Sequence, residues 1–243
     1  LKEKGLAALE KRAGRATSEG KIFIANNDKN AVICELTCET DFVAKNADFI
    51  AIGEDICKTA LDKGYTGPNE ELNGKLTDLA TKIRENMSLR RLESTEISCG
   101  TVFAKYIHSD RKTGVITLVK TEDCAAAENA DVKEFAKDCC LHIAAFTPAY
   151  ISQADVPESY VNEQKEIFAA QMAKDEKMAS KPQNVKDGIL QGKVKKHLAE
   201  ICFEDQMFVK DDKKSVTAKM AEIGKEAGAN LEFVTTKLFV LGK

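Results

Sequence analysis

Tryptophan is absent from this chain of 243 residues, and histidine occurs only at His108, His142 and His197. No two of those histidines stand three or four apart, so none pairs on one helical turn as a zinc site asks. Long apolar runs are missing too: nothing approaches the ~20 residues of a membrane helix. Nothing resembles a secretion signal. There is no basic excess either, with 36 Lys and Arg against 39 Asp and Glu, a net charge of −3 and a pI near 5.8. Phosphate neutralisation needs such an excess, so neither nucleic acid nor a membrane is the expected direct partner. Neither common Gly-rich phosphate loop is present, so no directly bound nucleotide is expected. A Gly-x-Ser-x-Gly elbow and a Cys-His-Asn arrangement are also lacking. The expectation is a protein that is not an enzyme and holds no cofactor and no metal.

The eight cysteines invite disulfides or zinc. Cys34 and Cys38 fall on one face of a probable strand, but no second pair follows at ligand spacing. Cys139 and Cys140 are adjacent on a helix and point in different directions. Reduced, buried cysteines in a cytoplasmic protein are the expectation, bacterial or in an organellar matrix. The first residue is Leu1, which leads us to expect an upstream segment.

What is present is an ordinary globular composition, 43% apolar and 31% charged, long enough to bury a core. Gly20-Lys21-Ile22-Phe23-Ile24 reads as a strand, Asn26 to Asn30 as a turn, and Ala31 to Leu36 as a returning strand. A helix follows to about Leu61. Gly100 to Ile107, the turn formers Ser109 to Thr113, and Gly114 to Val119 repeat that order, with a helix from about Asp131 to Phe146. Ala47-Asp48, Asp55 and Cys57 match Ala130-Asp131, Asp138 and Cys140 at one constant offset. Each half then offers a further helix, Leu72 to Glu85 and Val216 to Ala227, and a last strand, Met87 to Leu92 and Leu231 to Leu241. The fold class expected is α+β: two similar modules of antiparallel sheet, each of about three strands covered by helices.

Between Pro157 and Cys202 the second module is interrupted. Val161, Phe168 and Met172 mark one helical stripe, and Leu190, Val194, Leu198 and Ile201 another, with Ser180-Lys181-Pro182 as the break. An antiparallel helical hairpin is expected, its stripes used on each other or on a partner. The division is therefore a linker helix at 1–19, a first core module at 20–98, and the first part of a second at 99–156. The hairpin follows at 157–204, and the remainder of the second module at 205–243.

Thr40-Asp41-Phe42-Val43 sits where the strand pattern gives way to the helical one. Two placements of Phe42 are open. Phe42, Phe49 and Ile56 lie seven apart and could form one buried stripe, with Asp41 favoured near a helix N-terminus by ~0.3–1 kcal/mol. Alternatively the ring stands at the helix tip as an aromatic anchor for another protein.

The segment Thr40-Asp41-Phe42-Val43-Ala44-Lys45-Asn46, after the strand Ile33-Cys34-Glu35-Leu36, resembles the hallmark segment of the elongation factor Ts family. Arg12-Ala13-Gly14-Arg15-Ala16, Leu89-Arg90-Arg91, Tyr106-Ile107-His108 before Gly114-Val115, His142-Ile143-Ala144-Ala145, Lys181-Pro182 and Gln206-Met207-Phe208-Val209 appear in the family's order. They span nearly the whole chain, and the first segment is the specific one. The resemblance implies a guanine-nucleotide exchange factor whose partner is the GTPase elongation factor Tu. It also implies that the family's amino-terminal domain is missing here and that a carboxyl-terminal extension is cut short. Carried over by motif, Asp41 and Phe42 would enter the partner near its magnesium and phosphate site, with Thr40 and Val43 in the same segment and His108 at a further contact position. His142 fits a structural role and His197 a solvated hairpin residue. The rival classes are a scaffold acting through the hairpin and a thiol enzyme.

Overall fold

The computed structural model describes residues 11–243. The expected linker helix at 1–19 therefore lies largely outside the described residues; of it, Lys11 and Arg12 are helical.

Alternating apolar residues and short turns generate the first sheet from β1 (Glu19–Asn26), β2 (Asn30–Cys38) and β3 (Met87–Glu96). All three are antiparallel, with β2 in the middle. Between β2 and β3 run a one-turn helix α1 (Asp41–Ala44), then α2 (Ala47–Lys63) and α3 (Glu70–Ile83). The second sheet repeats this order with β4 (Thr101–Ile107), β5 (Thr113–Lys120) and β8 (Glu232–Val240), β5 central. Its covering helices are α4 (Ala130–Phe146) and α8 (Val216–Ala227). The α+β expectation of two similar modules holds. β3 runs to Glu96, beyond the expected Leu92, because it pairs with β2 back to Asn30.

The period-two pattern of the strands explains the layering. Phe23, Val32, Cys34 and Leu36 face α2 and α3, where Phe49, Ile56, Leu72 and Leu76 close the first core. Val115 and Val119 face α4 and α8, meeting Phe135, Ile143, Val216 and Ile223. The opposite faces of the two sheets meet each other through Ile22, Ala31, Ile33, Ile116 and Phe239. The order is helices, sheet, sheet, helices. Each fully buried aliphatic or aromatic side chain contributes about 1.5–3 kcal/mol.

One charge lies inside this apolar layer. Glu35 on β2 is fully buried, and its carboxylate accepts from Arg90 Nη1 at 3.0 and 3.1 Å, Arg91 Nε at 2.5 Å and the Gly242 N–H at 2.9 Å. Arg91 also donates to the Val240 carbonyl and lies 3.9 Å from the centre of the Phe239 ring. The carboxylate thus fastens the first sheet to the end of β8. Such a pair is costly to break from the arginine side, because the buried Glu35 carboxylate then stays desolvated while both arginines reach solvent.

The insertion is a hairpin of α5 (Glu158–Lys174) and α7 (Gln183–Ile201), with a single turn α6 (Glu176–Ala179) between. Its two apolar stripes meet each other: Val161 and Phe168 pack with Leu190, Val194, Leu198 and Ile201. Beyond it, a small ribbon of β6 (Met207–Phe208) and β7 (Asp211–Ser215) leads into α8.

The cysteine expectation needs a correction. Cys34, Cys38, Cys57, Cys139, Cys140 and Cys202 are free and buried, but Cys99 and Cys124 are exposed and joined as a disulfide. The cause is strand register: Thr101 opposes Lys120, so the residues just outside the open end of the β4–β5 hairpin come together.

Candidate functional site

The segment after β2 is built to hold one ring outward. Thr40 is extended at φ −124° and ψ 153°, and its hydroxyl accepts from the Val43 N–H at 3.3 Å, starting α1 as an N-cap. Glu85, just past α3, takes both the Thr40 N–H at 3.2 Å and the Thr40 hydroxyl at 2.8 Å. Asn46 then ends this turn and caps the next helix by accepting from the Asp48 N–H at 2.8 Å. That restart breaks the seven-residue stripe. Phe49 and Ile56 are fully buried, whereas Phe42 is 82% exposed.

Val43 and Ala44 face inward and join the first core, so Val43 anchors the turn from below. Asp41 accepts from Lys45 Nζ at 2.7 Å. That hydrogen bond, opposed by slight desolvation, holds the Asp41 carboxyl below its ordinary range, so it is charged at neutral pH. A ring on a turn fixed at both ends loses little freedom when another molecule covers it.

His108 opens the turn between β4 and β5, and this turn is seated on the first module. The Arg111 carbonyl accepts from the Ile22 N–H at 2.7 Å, and Arg111 Nη2 donates to Glu54 of α2 at 2.9 Å. Lys112 donates to Glu19 at 3.0 Å; that bond raises the Lys112 pKa, and the more distant Asp41 charge adds to the rise. Glu19 opposes Cys38, the last residue of β2 before the Asp41 turn. The turn of the second module and the tip of the first therefore share one end of the molecule. The exposed His108 ring lies 2.9 Å from the Tyr106 hydroxyl through Nδ1.

Lys45, Glu85 and Lys112 escaped the sequence reading. Lys45 was within reach of it, four residues after Asp41 on a helical turn. Glu85 was not, because its role depends on α3 returning to the end of β2.

The other histidines sit in structural settings. Buried His142 accepts at Nδ1 from the Val209 N–H, 3.1 Å away, so Nε2 carries the proton and donates to Gln206 Oε1 at 2.8 Å. Its pKa is lowered by desolvation. His197 meets the Tyr160 hydroxyl across the hairpin at 2.9 Å. Among the described residues, no cluster of three or more His, Cys, Asp or Glu is gathered for a metal. No helix among them is long and apolar enough to cross a membrane. The free thiols are poor nucleophiles: burial pushes Cys38 and Cys140 up to about 12 and Cys202 to about 11.

Comparison with known proteins gives the family. A family model described as Elongation factor TS matches residues 39–243. The chain is 57% identical over 242 residues to the elongation factor Ts of Treponema denticola, covering all of this chain and 85% of that protein. It is 48% identical over 253 residues to that of Treponema pallidum (strain Nichols) and 36% identical over 243 residues to that of Borreliella burgdorferi. Both alignments cover the whole chain and 86% of the relative.

Proposed function

Because this chain belongs to the elongation factor Ts family, we infer that it is a guanine-nucleotide exchange factor. It binds the GTPase elongation factor Tu and promotes GDP release during translation elongation. It makes and breaks no covalent bond, holds no nucleotide of its own, and works in the cytoplasm. The observation that carries the reading is the Phe42 ring, 82% exposed on a turn whose neighbours Val43 and Ala44 are buried.

In this reading Phe42 enters the partner as a wedge beside the magnesium and phosphate site. Charged Asp41, oriented by Lys45, fixes the insertion through polar contacts. Thr40 and Val43 hold the turn, and His108 meets the same partner from the adjoining turn. Small displacements in the partner loosen the magnesium and the phosphate loop, so GDP leaves without being touched. The thermodynamic requirement is only that the factor binds the empty partner better than the loaded one; GDP then weakens factor binding by the same ratio. The two core modules carry the site, and the hairpin at 157–204 projects from the second.

Release of fluorescent GDP from elongation factor Tu tests this. The wild-type chain accelerates release and forms a complex that GDP and magnesium dissolve. Phe42→Ala, with an unchanged melting temperature, loses roughly 30-fold of the stimulated rate, as befits an anchor worth about 2 kcal/mol. An unaltered rate would remove the wedge. A complex indifferent to GDP would make the protein a scaffold.

A further inference from the structure

Six of the eight cysteines are buried in the cores, and the remaining two are exposed together. Cys99 lies in the link from β3 to β4, the only covalent path from the first sheet into the second. Cys124 lies in the loop from β5 to α4, at the place corresponding to Asp41 when the two modules are matched at their constant offset. The backbone around them is organised without the sulfurs. The Thr121 N–H donates to the Gly100 carbonyl at 2.7 Å, and the Thr121 hydroxyl stands 2.8 Å from that carbonyl and 2.6 Å from the carbonyl of Asp123. Gly100 adopts φ +77°, a conformation open to glycine, and carries the link around the corner. The Cα atoms of the two cysteines are 5.6 Å apart, within the ordinary span of a disulfide.

We propose that Cys99 and Cys124 form a reversible oxidation site that exchanges with low-molecular-weight disulfides and thiols, closing and opening a staple between the inter-module link and the loop after β5. The hydrogen bonds of Gly100 and Thr121 keep the reduced thiols adjacent, so closure is intramolecular and outruns capture of a second small molecule. In the closing direction the Cys124 thiolate attacks one sulfur of a small disulfide, whose S–S bond breaks and releases one thiolate. The Cys99 thiolate then attacks the Cys124 sulfur, the mixed S–S bond breaks, and a second small thiolate leaves. The pair loses two electrons and two protons; the small disulfide takes both and departs as two thiols. Exposure decides which sulfurs take part, since the other six have no solvent access in the folded chain.

The staple lies at the end of the β4–β5 hairpin away from the His108 turn, so its state is separable from the proposed exchange site. The test uses the folded full chain, iodoacetamide labelling read by mass spectrometry, and thermal melting. Without reductant Cys99 and Cys124 remain unlabelled. After a phosphine reductant both label while the six buried thiols resist, and the melting temperature falls by roughly 5–10 °C, as loss of a cross-link closing about 25 residues implies. Oxidised glutathione then restores the unlabelled, higher-melting form with no glutathione retained. Cys124→Ser takes up one glutathione at Cys99 and melts at one temperature with or without reductant. The proposal is overturned if oxidised glutathione leaves the wild-type pair open or as a stable adduct. It also fails if closure does not move the melting temperature, or if Cys124→Ser still responds to reductant.

Discussion

At the tip of the first module Thr40 caps a turn that lifts Phe42 into solvent; at the matching place in the second, Asp123 caps a turn that carries Ala125. The caps are the same device, a side-chain oxygen accepting from the N–H three residues on, at Val43 and at Ala126. The likeness continues along the chain. Asn46 and Asn129 cap helices of 17 residues each. Asn86 donates its backbone N–H to Glu39, and Asn230 donates its side-chain amide to Glu122. Both middle strands shift register at the matching step, between Glu35 and Leu36 and between Leu118 and Val119. The side chains diverge on this common backbone. Glu85 grips Thr40 in the first module, where the second places Ala229. The exposed ring has an alanine for counterpart, and Cys34 beside Cys57 has Thr117 beside Cys140. A duplicated frame has kept its caps and bulges in both copies and placed the proposed probe in one, which is how a site is grafted on a fold.

The buried charge is where the two copies differ most in cost. Glu35 with Arg90 and Arg91 stands where the second module has Leu118, Val234 and Thr235. Arg91→Ala is expected to destabilise the protein by about 3–5 kcal/mol in urea titrations, because the buried Glu35 carboxylate loses its shortest partner. Replacing all three residues by their second-module counterparts is expected to cost less than the sum of Glu35→Leu and the paired change Arg90→Val with Arg91→Thr; an additive cost would show that the charges are not coupled. The two tips come next. If Phe42 is the proposed anchor, Phe42→Ala is expected to weaken association with elongation factor Tu by about 2 kcal/mol, whereas Ala125→Ser is expected to leave it within twofold in a binding titration.

A packing exchange sits under the sheets. Phe23 occupies the space over Gly53, where an added Cβ would stand 2.2 Å from the ring. The second module fills the matching places with Ala104 and Ala136, both buried. Gly53→Ala is expected to cost about 1–3 kcal/mol by overpacking, and Phe23→Ala about 3–5 kcal/mol by the cavity it leaves. The double variant, with the second module's pair of alanines, should lose less than the sum of the two, which thermal denaturation can check.

The smallest effect is acid sensitivity confined to one module. His142 is held neutral, its folded pKa lowered by desolvation. The unfolded chain therefore takes up the proton first, so stability is complete above the ordinary histidine pKa near 6.5 and falls as pH drops below it. Thr59 stands at the corresponding place in the first module. Hydrogen-exchange protection, taken relative to the intrinsic rate at each pH, is expected to fall from pH 7 to 5 around α4 and β6 and not around α2, and His142→Gln should flatten the difference.

Much of this frame was legible because it rests on local signals. The strand–turn–strand pairs follow from alternation around turns rich in Asn, Asp and Ser, and the hairpin from two stripes with a proline between. Phe42 was ambiguous for a physical reason: a seven-residue spacing looks continuous unless Asn46 is recognised as a new N-cap. The rest depends on pairing between distant segments. Glu35 reads as one polar residue in a strand until Arg91 is seen opposite and Gly242 above it. Cys99 and Cys124 are unremarkable until Lys120 is set against Thr101. The β6–β7 ribbon is short, and its two strands carry too few residues to show a period.

The sheet-to-sheet layer sets an order of events during synthesis. Ile22, Ala31 and Ile33 leave the ribosome long before Ile116, and Phe239, which completes their cover, follows later still. The early half can wrap its helices at once, yet its other side stays wet until the late half arrives. Glu35 likewise waits for Gly242. A growing chain therefore carries an unfinished sticky surface until β8 has emerged, and β8 closes it.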